Sequence, residues 1–439
     1  MLYTTNMKKY FLCIACPVIL SFLITGCSVK REEKILKQKK AQALDSYVSS
    51  LSLEEKVCQM FIENLEGSRK FVPVEHYKDL SDTVDSVSVS KALVPGGYIF
   101  FSYNLDDKTE NVMEFTDSIR EYCFNNDIII PFLAIDQEGG LVNRLRALNG
   151  PLPSNERVVQ KLNSQKAYRL YELQAVQMRA LGFDMNLAPV AEVCTEFNKD
   201  FLNGRSFGSG EEVIEFGKVC VQAYEQNGIA TVLKHFPGNT NTDPHTGLPE
   251  IKLSMAELND SLEPFYELLN FSSCVLMSHA RTTALDKDIP ACLSYEWVTG
   301  VLKNKLGYEG IIFSDDIFMG ALQDNGYSPE KACVMAVESG VDCIMISEKR
   351  FSKAAKVLIQ KAREDALFAD RINESVKKII SYKIQKGSFI YERQDRAKND
   401  YELTLKPALN KTDISERLDS FNTAKKENIQ IYTEYFYNK

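Results

Sequence analysis

Two of the four histidines in this 439-residue chain share one segment, "KHFPGNTNTDPHTGLPEI", Lys234 to Ile251. Lys234 and His235 end an apolar run, and Asp243 stands two residues before His245. Imidazole titrates near neutrality, so a histidine with a carboxylate beside it is equipped to give and take a proton. Two further carboxylates, Asp315 and Asp316, follow "GIIFS", and Asp136 ends "PFLAID". Carboxylates at such positions can serve as nucleophiles or as bases. Each of these groups also has an ordinary reading. Ser314-Asp315-Asp316 would cap a helix well, His245 would serve as an exposed loop residue, and the remaining charges would make a structural ion-pair cluster.

The elements that must position these groups are short apolar runs: 57–62, 96–101, 131–136, 183–190, 231–236, 274–279, 310–315 and 342–347. Each is strand-length, bounded by turn residues, and too continuous for a strand with one wet face. Helical patterns lie between several of them, as in "SQKAYRLYELQAVQMRALG" and "SPEKACVMAVESG". Eight buried strands alternating with helices predict an α/β fold, a (β/α)8 TIM-type barrel forming a single catalytic domain; an open doubly wound sheet is the competitor. The polar residues favour the barrel. Asp136, Lys234, His235, His279 and Asp315 all fall at or beside the C-terminal ends of runs, which a barrel gathers at one mouth and an open sheet spreads along an edge.

Around that domain the chain divides into residues 1–26, 27–50, 51–385 and 386–439. The first stretch has Lys8-Lys9 and an apolar run ending "LITGC", a pattern similar to a bacterial lipoprotein signal; a membrane-spanning helix is the alternative. On the first reading Cys27 is acylated and the chain is exported and held on a membrane. Residues 27–50 are a charged tether, and Ser52 with Glu55 forms a capping-box pattern at the start of the domain. Residues 386–439 are polar and tyrosine-rich, a tail that packs on the barrel or hangs free. The balance of 52 basic to 60 acidic residues argues against a nucleic-acid partner. Beyond Cys27 the cysteines are dispersed, mostly in apolar runs, with no CxxC pair, so buried thiols are expected and a metal site is not.

The stretches "LSLEEKVCQMFI", "PGGYIFF", "AIDQEGGLVNRL", "LAPVAEV", "GRSFGS", "KHFPG", "DPHTGLP", "MSHA" and "GIIFSDDIFMGAL" occur in order from Leu51 onward. Together they resemble glycoside hydrolase family 3, in the branch of bacterial β-N-acetylglucosaminidases. The resemblance implies a cofactor-free retaining exo-glycosidase acting on GlcNAc-containing oligosaccharides such as peptidoglycan fragments or chitin-type chains. It implies Asp315 as nucleophile, with His245 as acid/base supported by Asp243 on a mobile loop. Asp136, Arg144, Arg205, Lys234, His235 and, less directly, His279 would hold the sugar. Three departures stand out. Leu141 occupies a position where arginine is common, Asn239-Thr240 replaces His-Gly after "KHFPG", and the loop to His245 is about two residues shorter. A glycosyl phosphorylase, a family 3 β-glucosidase and an inactive glycan-binding lipoprotein are the rival readings.

Overall fold

The structure, a computed structural model, describes residues 12–80, 91–397 and 400–437, with side chains from Arg31 onward. Part of the expected signal segment and the side chain of Cys27 lie outside the described residues. Among the described residues no helix is long and apolar enough to cross a membrane. Contacts divide the chain into two units, one of Leu51–Phe389 with Pro407–Lys439, the other of Met1–Ser50 with Ile390–Lys406.

Eight parallel strands build the larger unit: β1 Phe61–Asn64, β2 Gly97–Phe100, β3 Phe132–Ile135, β4 Met185–Asn186, β5 Ala230–Phe236, β6 Cys274–Met277, β7 Ile311–Ser314 and β8 Ile344–Ile346. Each pairs with its sequence neighbours, and β1 pairs with β8. A parallel bridge between Phe313 and Cys343 joins β7 to β8, so the sheet closes on itself. This is the barrel expected from the eight apolar runs. Short parallel strands buried on both faces explain why those runs lack a polar alternation. The patterns noted above form helices Ser164–Ala180 and Pro329–Ser339, and Ser52 and Glu55 form a complete capping box before helix Leu53–Gln59. All the cysteines with described side chains are free; only Cys194, on the loop after β4, is exposed.

The polar C-terminal stretch folds. Helix Ile414–Tyr432 packs along helix Ser164–Ala180 with Phe421, Ala424 and Asn428 buried. Two arginine–carboxylate forks hold it, Arg169 on Glu427 (2.7 and 2.6 Å) and Arg417 on Asp117 (2.9 and 2.8 Å). Strands Phe389–Ala397 and Asp400–Pro407, which but for their outermost residues Phe389 and Pro407 belong to the smaller unit, form a two-stranded sheet, and Lys39 of helix Leu12–Ser50 bonds Asp400 at 3.4 Å and lies over the Tyr401 ring.

Candidate active site

The C-terminal ends of β3, β5 and β7, with the chain after β4, supply the charged groups. After β3 the chain turns into a short hairpin, Gln137–Gly139 against Val142–Asn143. Buried Asn186, on β4, fixes its root by accepting from Gln137 N–H and donating to Gln137 C=O, both at 3.0 Å. The Gln137 side chain then donates to Asn143 and accepts from Leu145 N–H, which sets the arm carrying Arg144. Gly139 adopts φ +104°, and a Cβ there would lie 2.2 Å from the Pro153 carbonyl. A side chain at this position would therefore push the hairpin off its seat.

Lys234, on β5, reaches Asp136 Oδ1 and Glu138 Oε1, both at 2.6 Å. Arg205 grips Glu138 with Nε at 2.7 Å and a terminal nitrogen at 2.9 Å. Burial alone would raise the Glu138 pKa, but Lys234 and Arg205 override it and hold the carboxyl well below its usual range. Burial would likewise lower Lys234, yet Asp136 and Glu138 raise it. The set stays ionised because each charge has a partner. His235 places Nδ1 2.6 Å from Glu192, whose other oxygen accepts from Asn239 N–H at 2.6 Å. A proton on Nδ1, facing the carboxylate, leaves Nε2 as the other ring nitrogen's working edge. Glu138 and Glu192 are site residues that the motifs contain but do not single out. The signal was the pairing requirement of buried Lys234 and Arg205, for which Asp136 alone is insufficient.

Asp315 follows β7, largely buried. Among the described residues its protein donor is the Asp316 N–H at 2.8 Å. Asp316 faces elsewhere: its Oδ1 accepts from Phe318 N–H and Ser347 N–H, both at 3.0 Å. Burial, reinforced by the Asp315 charge, raises the Asp316 pKa. Its role is to tie the end of β7 to the end of β8. His279 requires a correction. It is fully buried, with Nε2 2.9 Å from the Asp316 carbonyl and Nδ1 3.2 Å from Cys292 Sγ. Both ring nitrogens are used within the protein, so His279 supports the turn bearing Asp315 and does not face a ligand.

The loop after β5 carries Asp243 and His245, both exposed. Asp243 Oδ1 accepts from His245 Nδ1 at 2.7 Å and from His245 N–H at 2.9 Å. Led by the backbone bond, these contacts lower the Asp243 pKa and keep a carboxylate behind the ring. The loop is anchored at three places. Asn241 bonds the loop after β4, through Phe201 and Asp200 N–H groups and the Glu196 carbonyl. Pro244 C=O accepts from Ala321 N–H at 3.0 Å. Glu250–Ile251 pairs with Arg281–Thr282. At the middle anchor a Cβ on Gly320 would come 2.6 Å from the His245 carbonyl, so only glycine permits this approach. The dyad is thereby seated on the segment that begins five residues after Asp315. Behind the loop lies a cavity of about 970 Å³ walled by Phe197, Asn239, Leu248, Ile251 and Phe265. It touches Glu192 but excludes Asp136, Lys234 and Asp315. The side-chain amide of Asn239 finds no protein partner among the described residues. Arg144 places its guanidinium 5.6 Å over the Phe101 ring at the end of β2, its Nε likewise unpartnered. Leu141, in the turn of the hairpin, is exposed. Among the described residues no group of three or more metal-binding side chains occurs.

Residues 52–382 fit the model described as "Glycosyl hydrolase family 3 N terminal domain". The chain belongs to glycosyl hydrolase family 3. It is 28% identical over 319 residues to a beta-hexosaminidase A of Pseudoalteromonas piscicida, covering 66% of this chain and 53% of that protein. It is 32% identical over 270 residues to a beta-hexosaminidase of Tolumonas auensis, covering 59% and 78%. Among solved structures, a family 3 β-N-acetylglucosaminidase from Paenibacillus sp. superposes with a TM-score of 0.68 at 26% identity, covering 86% of this chain and 69% of that one. The chain thus spans about half the length of the first of these curated relatives.

Proposed function

We propose that this family 3 chain is a retaining exo-β-N-acetylglucosaminidase, releasing terminal β-linked N-acetylglucosamine from peptidoglycan fragments or chitin-type oligosaccharides. The relatives' names support the substrate class. The observation that carries the mechanism is the Asp243–His245 pair seated against Gly320–Ala321, beside the chain leaving Asp315. Asp315 attacks the anomeric carbon while His245 Nε2–H protonates the leaving oxygen. Asp315 then carries the sugar as an ester. His245, now neutral, takes a proton from water as that water displaces the ester, and the sugar leaves with its starting anomeric configuration. Asp243 holds the proton on Nδ1 and stabilises the imidazolium. Asp136, Arg144, Arg205, Lys234 and His235 bind the sugar hydroxyls. Glu138 keeps Lys234 and Arg205 in place.

Product analysis on aryl β-N-acetylglucosaminides tests this reading. Free N-acetylglucosamine, first appearing as the β-anomer and unaffected by phosphate, is expected. Sugar 1-phosphate formed in the presence of phosphate would make the chain a phosphorylase, and sugar binding without turnover would make it an inactive lectin-like protein. The N-terminal reading remains part of the proposal: export and attachment through lipid on Cys27. Incorporation of labelled fatty acid into the expressed chain, lost in Cys27→Ser, is the expected result.

A further inference from the structure

The chain leaving β2 makes one tight turn over Ser102–Asn104. Fully buried Asn104 pins it, donating to the Leu65 and Gly67 carbonyls at 2.9 and 2.8 Å and accepting from Phe101 N–H at 2.9 Å. On this fixed turn Tyr103 is 53% exposed. Its ring lies within 3° of parallel to that of Phe101, centroids 5.9 Å apart. Arg144 lies over Phe101 at 5.6 Å, and the Lys349 ammonium lies over Tyr103 at 5.3 Å. A row of cation, two rings and cation therefore runs along the mouth, from the hairpin after β3, past β2, to the chain leaving β8. Lys349 has a partner in Glu66 at 3.1 Å, but both side chains are exposed, so the pair is weak and Lys349 is readily moved.

A β-linked, gluco-configured sugar holds its hydroxyls at the ring edge and presents C–H surfaces on its two faces. Such a face suits a fixed aromatic ring once the Lys349 ammonium swings off it, and that ammonium can then reach the hydroxyls at the sugar's rim. We propose that Tyr103 is the stacking platform for the sugar that follows the terminal N-acetylglucosamine, on the leaving-group side. The inference rests on the hydrolase reading above and adds to it a preference for oligosaccharides over simple glycosides. Because Asn104 fixes the turn in advance, little ordering is needed when the second sugar arrives.

The test compares kcat/KM for a β-1,4-linked N-acetylglucosamine trisaccharide with that for methyl β-N-acetylglucosaminide, whose leaving group has no ring to stack. In Tyr103→Ala the ratio of the two is expected to fall by about three- to tenfold, the scale of one aromatic contact. The loss should sit mainly in KM for the trisaccharide. Tyr103→Phe should keep the wild-type ratio. An unchanged ratio in Tyr103→Ala would overturn the platform while leaving the hydrolase reading intact. A wild-type protein that cleaves neither substrate would overturn both.

Discussion

Two buried carboxylates, at opposite ends of the barrel, are each surrounded by cations. At the mouth Glu138 holds Lys234 and Arg205. At the other end Asp342, just before β8, accepts from Lys378 (3.2 Å), Ser375 (2.9 Å), Ile312 N–H (3.1 Å) and Arg371, with Lys303 at 3.9 Å. Burial would raise both pKa values, and in both cases the surrounding cations depress them. The difference lies in closure. The Asp342 carboxylate lies under helix Ala366–Gln385, wholly buried, with both oxygens engaged by protein donors. The Glu138 set continues through Lys234 to Asp136, which is partly exposed at the barrel mouth. On the proposed reading, similar electrostatics serve stability at one end and ligand binding at the other, as the two faces of such barrels are expected to divide.

That contrast can be broken by substitution. Asp315→Ala should lower turnover of every substrate by ~10⁴-fold or more, the scale of losing a covalent nucleophile, with near-normal denaturant unfolding. Asp342→Ala should do the reverse, costing about 3–5 kcal/mol of stability by stranding buried cations while the folded fraction keeps its kcat/KM. If Asp342→Ala lost activity without losing stability, the division of roles would fail.

His245→Ala should slow methyl β-N-acetylglucosaminide hydrolysis by roughly 10²–10⁴-fold, but dinitrophenyl glycosides far less, since only a poor leaving group needs the proton. Equal losses on both would remove His245 from the acid role. Gly320→Ala, which alters no charged group, should lower kcat by up to about 10²-fold by displacing the His245 carbonyl from its seat. Wild-type kinetics in that variant would mean that the loop works in another position.

The smallest expected effect concerns Lys383, buried away from the mouth and donating to Gln59 at 2.7 Å. Burial pushes its amine down to about 7 from an ordinary value of 10.5. The unfolded chain therefore binds a proton across pH 7–10 that the native chain refuses, so this residue makes stability rise with pH in that window. Lys383→Met should flatten the slope of unfolding free energy against pH between 7 and 9.5. An unaltered slope would show that the amine is charged in the fold.

The barrel was legible because eight continuous apolar runs leave a buried parallel strand few alternatives. The site was legible only in part. Glu138 and Glu192 sit in the quoted stretches, but their roles are set by partners about 70–100 and 40 residues away, which spacing along the chain does not reveal. The resemblance implies His279, less directly than the others, as a sugar contact; its two ring nitrogens instead face the Asp316 carbonyl and Cys292 Sγ, contacts the motif does not reveal. Helix Ile414–Tyr432 is hard to read from sequence because charged forks and a narrow face of Phe421, Ala424 and polar Asn428, not a broad apolar stripe, fasten it.

The central claim, that Asp315 becomes covalently linked to the sugar, is tested most directly by mass mapping. The protein would be incubated with a fluorinated N-acetylglucosaminyl donor that forms the ester readily and hydrolyses slowly, then digested. The account predicts one added sugar on the peptide containing Asp315, absent in Asp315→Asn and retained in Asp316→Asn. A sugar found on Asp316 or on His245, or none despite turnover, would contradict it.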